Sequence, residues 1–413
     1  MLRKLTILYH YFQAKLRMRF KHKALQKWQS KNRSIITQFA KECSPFYRQH
    51  AGEVISKKIM MDHFSTFNTK QIAKEEAFQI ALEAEKTRNF CKTLNGLTVG
   101  LSSGTSGNRG LFLVSESERL AWCGNILAKM LPKSPWQRQK IALFLRANST
   151  LYEAVNSKTL SFAYFDLLED PSTLRQKLDV FEPDVLVAPP SMLLLLTGCC
   201  KPRRVVSVAE VLSLIDEKRL EAEFGQKIFQ IYQCTEGFLG FTCSHGVLHL
   251  NEDLLIIEKE YIDDSRFIPI ITDLFRKTQP IIRYRLDDIL VEKKTPCPCG
   301  CVFQPLERIE GRCDDLLYVA LPNGRTKPLF PDFIIRRIIL VSEEIKDFEI
   351  VQINLYKWEI YVEPQFKVAI QAALYELFLL VECLFPELIF VDKPFPRLPG
   401  AKLRRIRRQY EAI

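Results

Sequence analysis

Leu101-Ser102-Ser103-Gly104-Thr105-Ser106-Gly107-Asn108-Arg109-Gly110 alternates hydroxyl side chains with glycines. A chain with so few side-chain obstacles can wrap closely around a phosphate, offering backbone N–H groups and Ser/Thr hydroxyls as donors. A plain surface loop has the same composition. It is not a Walker loop, because the Gly-Lys-[Ser/Thr] ending is absent. Arg109 is the one cation within it.

Outward from this stretch, Leu97–Leu101 reads as a short strand delivering the loop. Ser115 caps a helix over Glu116–Leu131, with Glu118 in the capping-box position. Short apolar runs at Ile141–Leu145, Ser161–Asp166 and Val185–Ala188 are typical of buried parallel strands. Helices are expected at Pro171–Phe181 and from Ser191 to Thr197. Strands Val205–Val208 and Lys227–Tyr232 follow, separated by a helix through Leu212–Phe224. This alternation predicts a layered α/β domain. From His249 to Val291 the pattern turns strand-rich. Upstream, residues 1 to about 50 read as basic helix, with Leu5, Leu8, Tyr9, Phe12 and Leu16 at helical spacing. Asn68-Thr69 is the expected cap of a Lys70–Ala84 helix.

A boundary is expected near Arg312, giving a large domain over 1–311 and a small one over 312–413. The small domain opens with a hairpin, Leu316–Leu321 and Arg325–Pro328, joined by Asn323-Gly324. A helix (Asp332–Val341), two strands (Phe348–Leu355, Trp358–Val362), a helix (Phe366–Leu384) and a strand (Leu388–Val391) complete a compact α+β unit.

The chain has 413 residues, 47% hydrophobic and 26% charged, the balance of an ordinary globular protein. No secretory signal is read at its start, and no apolar run is long enough to span a bilayer. The twelve cysteines then suggest reduced thiols in a cytoplasmic protein, with Cys123, Cys199, Cys200 and Cys383 as core filler. The net charge is +11, with visible excess in Lys15–Lys27 and Lys402–Arg408. Nucleic acid or an anionic membrane surface would suit such a charge. A solvated helix face that also attracts polyanionic small molecules is the simpler reading, since no nucleic-acid module motif is present.

Three further stretches carry chemistry. Tyr232-Gln233-Cys234-Thr235-Glu236-Gly237 follows a strand, and in layered α/β folds ligands sit beyond the carboxyl ends of strands. Glu236 there suits Mg²⁺, a hard cation that bridges phosphates. Ile281-Ile282-Arg283-Tyr284-Arg285-Leu286-Asp287-Asp288 places two carboxylates at a strand end, and a carboxylate accepts hydrogen bonds from both hydroxyls of a ribose. Arg308-Ile309-Glu310-Gly311-Arg312-Cys313-Asp314-Asp315 lies at the boundary, where Gly311 permits hinge-like backbone angles.

In this order the stretches resemble the adenylate-forming superfamily of acyl-CoA synthetases, and within it the phenylacetate–CoA ligase and coenzyme F390 synthetase-related branch. Ser102–Gly110 is similar to the phosphate loop, with Asn108-Arg109-Gly110 in place of Lys-Pro-Lys-Gly. Tyr232–Glu236 is similar to Tyr-Gly-x-Thr-Glu, Tyr284–Asp288 to Tyr-Arg-Thr-Gly-Asp, and Gly311–Asp315 to Gly-Arg-x-Asp-Asp. Pro399-Gly400-Ala401-Lys402-Leu403-Arg404-Arg405 resembles Gly-Lys-x-x-Arg, with Ala401 inserted. The match runs from about residue 90 to the end.

The resemblance implies a large ATP- and acyl-binding domain with layered sheets, and a small mobile one. It implies an ATP-dependent acid–thiol ligase that makes an acyl adenylate and passes the acyl group to coenzyme A. Ser102, Ser103, Gly104, Thr105, Ser106, Gly107 and Arg109 would hold phosphates. Tyr232 would contact adenine, Glu236 would hold Mg²⁺, Asp288 the ribose, and Arg312 the nucleotide, with Thr235 beside Glu236 among the catalytic residues. Lys402 would bridge the carboxylate and the α-phosphate, with Arg404 or Arg405 as its alternates, and Asp314 would be the hinge. Phe144–Tyr152, Ala188–Leu193 and Phe238–Phe241 are expected to line the acyl pocket, whose aromatic content favours an aryl or unsaturated acid. The alternatives are a protein that loads an acyl carrier protein, and an inactive nucleotide-binding scaffold.

Cys297-Pro298-Cys299 and Cys243-Ser244-His245-Gly246-Val247-Leu248-His249 together offer a tetrahedral Zn²⁺ site of structural character. The expected ligands are Cys243, His249, Cys297 and Cys299; Cys301 and His245 compete, and a set of metal-free thiols is the alternative. Cys and His pairs in the phenylacetate–CoA ligase branch favour the metal.

Overall fold

The computed structural model describes residues 2–102, 109–145, 156–167, 169–210, 212, 214–261, 264–310, 317–329, 334, 337–338, 340–342, 344–345, 348–391 and 406–409. The chain divides into two compact units. One comprises Met1–Leu101, Leu111–Glu169 and Thr173–Gly311; the other comprises Ser102–Gly110, Asp170–Ser172 and Arg312–Ile413.

The first unit opens with helices α1 (Leu2–Arg17), α2 (His22–Cys43), α3 (Pro45–His50), α4 (Lys57–Asp62), α5 (Phe64–Phe67) and α6 (Lys74–Thr87). Strands β1 (Thr93–Leu94), β2 (Leu97–Leu101) and β3 (Leu111–Val114) form a small antiparallel sheet ahead of α7 (Glu116–Met130). Then β4 (Gln139–Leu145), β5 (Leu160–Asp166), α8 (Pro171–Phe181), β6 (Val185–Ala188), α9 (Pro190–Leu195), β7 (Arg204–Ser207), α10 (Leu214–Phe224) and β8 (Ile228–Cys234) alternate. The strands β9 (Gly237–Thr242), β10 (Leu248–Leu250), β11 (Leu255–Tyr261), β12 (Arg266–Asp273), β13 (Tyr284–Arg285), β14 (Ile289–Glu292) and β15 (Pro305–Glu310) complete it.

The layered α/β reading holds. Among the described residues, β4 to β15 make one sheet, with β5-β4-β6-β7-β8 parallel and the order continuing antiparallel through β9-β10-β15-β14-β12-β11. All four residues of β6, Val-Leu-Val-Ala, are buried, as a parallel strand covered on both faces requires. The sheet changes from parallel to antiparallel at the two-residue turn Thr235-Glu236 between β8 and β9. A two-residue connection can join only antiparallel neighbours, and it leaves those two side chains at the strand end.

Helix α7 starts at the expected cap: Ser115 accepts from the Glu118 N–H, and Glu118 accepts from the Ser115 N–H. Helix α6 departs from expectation. It begins at Lys74 after Ala73, not after Asn68-Thr69. The Asn68 side chain is instead buried in a turn of its own, accepting from the Lys70 and Ile72 N–H groups and donating to the carbonyls of Phe64 and Ile72. An Asx side chain satisfies a local turn as readily as a helix start.

Helix α1 lies against α7, where Gly124 makes room. A Cβ there would stand 2.5 Å from the Ile7 carbonyl oxygen. The contact also buries charge. Lys129 Nζ lies 2.6 Å from Asp253 Oδ1 and 2.6 Å from Asn251 Oδ1, and Arg17 Nε lies 3.2 Å from Asp253 Oδ2. Burial pulls the Lys129 pKa down, and Asp253 opposes that fall. Such a group is tolerable in the interior only because its partners are in place.

The second unit holds a hairpin of β16 (Leu317–Ala320) and β17 (Thr326–Leu329), turned at Asn323-Gly324, with Gly324 at φ +77°. Strands β18 (Glu349–Asn354), β19 (Lys357–Tyr361), β20 (Glu387–Val391) and β21 (Ile406–Arg408) form a sheet of order β20-β19-β18-β21, with α11 (Lys367–Leu380) between β19 and β20. Trp358, fully buried, meets Phe378 of α11 edge-on at 5.3 Å.

Candidate active site

Ser103, Gly104, Thr105, Ser106 and Gly107 lie outside the described residues, as do Arg312, Asp314, Lys402, Arg404 and Arg405. At the base of the loop, the Ser102 N–H donates to the Gly110 carbonyl at 2.7 Å, and the Gly110 N–H donates to Ser102 Oγ at 2.6 Å. Arg109 is buried, with Nε on the Ser102 carbonyl at 3.3 Å.

Strand β3, the arm that leads out of this loop, is at the edge of its sheet. A side chain fills the place of a neighbouring strand. Gln279 accepts from the Leu113 N–H at 2.9 Å and donates to the Leu111 carbonyl at 3.1 Å. The same Gln279 oxygen accepts from Arg276 Nη2 at 3.0 Å, and Arg276 Nη1 donates to the Thr235 carbonyl at 2.6 Å. Glu118 fixes the segment between them, accepting from the N–H groups of Lys277 and Thr278 and from the Thr278 hydroxyl. Burial would raise the Glu118 pKa, but these bonds and those from Ser115 outweigh it, and the carboxyl sits below its ordinary range. A relay thus runs from the loop-bearing hairpin to the Thr235-Glu236 turn. The sequence reading missed Gln279 and Arg276 because their work depends on contacts with Leu111, Leu113 and Thr235, which lie far from them along the chain.

At that turn the structure brings Tyr232, Thr235, Glu236, Tyr284 and Asp288 together. The Tyr232 hydroxyl donates to Asp288 Oδ2 at 2.6 Å, and the Tyr284 hydroxyl donates to Glu236 Oε1 at 3.0 Å. Thr235 Oγ1 donates to Glu236 Oε2 at 2.7 Å. Burial and then the neighbouring carboxylates push both tyrosine pKa values far up, so the phenols remain proton donors. Cys234 is held protonated by burial and by Glu236 and Asp288. Glu236 and Asp288 are half-buried, and each retains an open side. Two carboxylates oriented by phenols, at the end of a parallel strand, can take a divalent cation and the hydroxyls of a sugar.

Residues 146–152 lie outside the described residues, and Phe144, Phe238 and Phe241 are buried in the core. The Phe238 and Phe241 rings flank the Lys129 ammonium at 5.4 and 5.0 Å. These ring faces add to the Asp253 and Asn251 contacts that hold the buried ammonium.

The four candidate metal ligands converge. The ligand atoms of Cys243, His249, Cys297 and Cys299 all lie within 4.8 Å of one another. Cys243 Sγ is 3.6 Å from Cys297 Sγ, and Cys299 Sγ is 3.5 Å from His249 Nε2. Zinc–sulfur bonds at tetrahedral angles set an S···S separation of about 3.8 Å, so the donor set fits that ion. His249 is fully buried, and its Nδ1 donates to the Phe303 carbonyl at 2.8 Å, which leaves Nε2 as a lone pair facing the thiols. The Cys301 N–H points at Cys299 Sγ from 3.4 Å, and Gly300, at φ +74°, makes the turn that allows it. Burial, with the neighbouring thiols, pushes the Cys299 thiol up to about 12. Among the described residues all cysteines are free, and Cys199 and Cys200 are only half-buried, not core filler as expected.

No protein-family model matches the sequence, and no curated protein does. Solved structures do. The chain is similar to 2-hydroxyisobutyryl-CoA ligase in complex with 2-HIB-AMP and CoA in the thioesterification state, with a TM-score of 0.58 and 18% identity over 95% of this chain and 91% of that one. It is also similar to that ligase in the postadenylation state with R3-HIB-AMP, with a TM-score of 0.53 and 16% identity over 94% and 90%. Nearly the whole length of both chains is matched. The fold of this chain is therefore that of the adenylate-forming acyl-CoA ligases.

Proposed function

We propose that this protein is an ATP-dependent acid–thiol ligase. A carboxylate oxygen attacks the α-phosphorus of ATP, the bond to the β-phosphate oxygen breaks, and pyrophosphate leaves an acyl adenylate. The sulfur of coenzyme A then attacks the acyl carbon, the bond to the phosphate oxygen breaks, AMP departs and the thiol proton goes to solvent. The observation that carries this reading is the pair of tyrosine-oriented carboxylates, Glu236 and Asp288, at the parallel-to-antiparallel change of a ligase fold. Such chemistry asks the protein for positioning and charge stabilisation more than for covalent steps.

In this reading the large domain ends at Gly311 and the small one begins at Arg312, with Asp314 as the hinge. Ser102 to Gly107 and Arg109 hold the phosphates, and Tyr232 contacts the base. Asp288 takes the ribose hydroxyls, and Arg312 also binds the nucleotide. Glu236, oriented by Thr235, takes the Mg²⁺ that comes with ATP, which neutralises phosphate charge. Lys402 neutralises charge between carboxylate and α-phosphate. The substrate class is a carboxylic acid, with an aryl acid resting on the resemblance to the phenylacetate–CoA ligase branch. Cys243, His249, Cys297 and Cys299 would hold Zn²⁺ as a closed structural site that ties the β9–β10 hairpin to the 297–303 segment.

ATP–pyrophosphate exchange across a panel of aryl and aliphatic acids tests the first step. Exchange with no acid in the panel, by folded and ATP-binding protein, would favour the inactive scaffold. Coenzyme A-dependent AMP release tests the second step, and release only with a carrier protein would move the acceptor.

A further inference from the structure

Helix α1 has two apolar faces. Ile7, Tyr11 and Ala14 are buried in the core. On the opposite side, Leu2, Leu5, Tyr9, Phe12 and Leu16 recur at intervals of three and four and are between 46 and 79% exposed. Trp136, 61% exposed, extends the stripe, with its ring 6.5 Å from that of Phe12. Exposed leucines occur singly on any surface, but five large side chains in one helical stripe, extended by Trp136, form a patch that an aqueous monomer rarely carries.

The charge around the stripe says what covers it. Residues 1–50 hold twelve Lys and Arg and a single acid, Glu42, a net of +11 that equals the charge of the whole chain. Residues 51–413 are therefore balanced. Of these cations, Arg17 is buried on Asp253 and Arg3 pairs with Glu116. Lys4, Arg19, Lys21, Lys23, Lys27, Lys31 and Arg33 are exposed and make no ion pair among the described residues. No helix among the described residues is long and apolar enough to cross a membrane.

We infer that α1 and the basic segment after it are a docking surface for an anionic lipid bilayer, on which α1 lies in the plane of the interface. The apolar stripe enters the headgroup–acyl boundary, and the flanking ammonium and guanidinium groups meet the lipid phosphates. A second copy of the chain would bring two +11 segments together. Nucleic acid would satisfy the cations but leave the Leu/Phe stripe in water. Of these three, only an anionic bilayer satisfies both features. This inference does not depend on the ligase chemistry, because none of these residues belongs to the proposed site.

Sedimentation of the full chain with vesicles tests it. Vesicles with about a third phosphatidylglycerol or phosphatidylserine should bind at least about tenfold more protein than pure phosphatidylcholine, and 0.5 M salt should remove most of that difference, as screening of several cations requires. The Leu5→Glu/Phe12→Glu variant should lose binding while keeping the circular dichroism spectrum and thermal midpoint, since both side chains are exposed. The lysine-neutralised variant Lys21→Gln/Lys23→Gln/Lys27→Gln should bind less and keep the fold. Absence of binding by the wild-type chain overturns the inference. So does a concentration-dependent dimer in size exclusion that the Leu5→Glu/Phe12→Glu change dissociates, which assigns the stripe to a second copy. Vesicle binding that survives the Leu5→Glu/Phe12→Glu change equally overturns the role of α1.

Discussion

The amide oxygen of Gln279 lies 3.0 Å from Arg276 Nη2, while the other terminal nitrogen of that guanidinium donates to the Thr235 carbonyl at 2.6 Å. With the Gln279 bonds to Leu111 and Leu113, this contact links the β2–β3 hairpin to the β8–β9 turn. Gln279→Ala would leave the Leu113 N–H, the Leu111 carbonyl and one guanidinium nitrogen without partners. Buried groups so orphaned cost about 1–3 kcal/mol. The expected outcome is a clear fall in the urea midpoint at unchanged slope.

Arg276→Lys keeps the charge but not the fork. One ammonium cannot reach the Thr235 carbonyl and Gln279 as the planar guanidinium does. The Thr235-Glu236 turn should loosen, and misplacement of a positioned group by about 1 Å can cost on the order of a hundredfold in rate. Pyrophosphate exchange should therefore fall in kcat with little change in ATP binding. An unaltered kcat, in a variant whose thermal midpoint is also unaltered, would detach the relay from the chemistry.

Glu236→Gln and Asp288→Ala are expected to cut pyrophosphate exchange by about a hundredfold or more, the scale on which charge-positioning groups act. Tyr232→Phe should act more weakly, raising KM for ATP by about tenfold, since it removes one charge-assisted bond to Asp288. Exchange at wild-type rates in folded Glu236→Gln protein would remove this carboxylate from the site.

Much of this was legible in the sequence, for local reasons. The Ser115–Glu118 box starts α7, and the apolar run Val185–Ala188 is β6, because a cap and a doubly covered strand each have a signature a few residues long. The convergence of Cys243, His249, Cys297 and Cys299 was legible too, since Cys243/His249 and Cys297/Cys299 are two local pairs. Asn68 misled because a helix cap and an isolated Asx turn read alike. Gln279 gave no signal, since a glutamine that completes a sheet edge is defined only by the distant strand it meets. The role of the Phe238 and Phe241 rings was likewise hidden until Lys129 was seen buried between them. β21 was hidden by its arginines, because only Ile406 of Ile406–Arg408 looks like a strand.

Glu118 supplies a pH dependence. Its folded pKa lies below the ordinary carboxylate value, owing to hydrogen bonds from Ser115 and Thr278 that outweigh burial. A group with a depressed folded pKa contributes stability that is present above its unfolded pKa and is lost as pH falls through the folded one. The wild-type chain should thus lose stability on acidification below about pH 4.3, the ordinary glutamate value. Glu118→Gln should be less stable at pH 7 and show a shallower loss over the acid range. Parallel stability curves for the two proteins would count against the assignment.

The cysteine–histidine cluster gives the last expectation. Three thiols and an imidazole converge, His249 is fixed through Phe303 with Nε2 facing inward, and the spacings are those of a tetrahedral ion. Protein purified without chelator should contain about one zinc per chain, as a closed structural site does. Cys297→Ser/Cys299→Ser should abolish it. The cluster fastens the β9–β10 hairpin, and β9 starts at the turn that carries Glu236, so the thermal midpoint should fall before the chemistry fails. A strong chelator should give the same fall, and added Zn²⁺ should reverse it. Far less than one zinc per active chain would sink the site. Zinc retained by the double variant would place it on other residues.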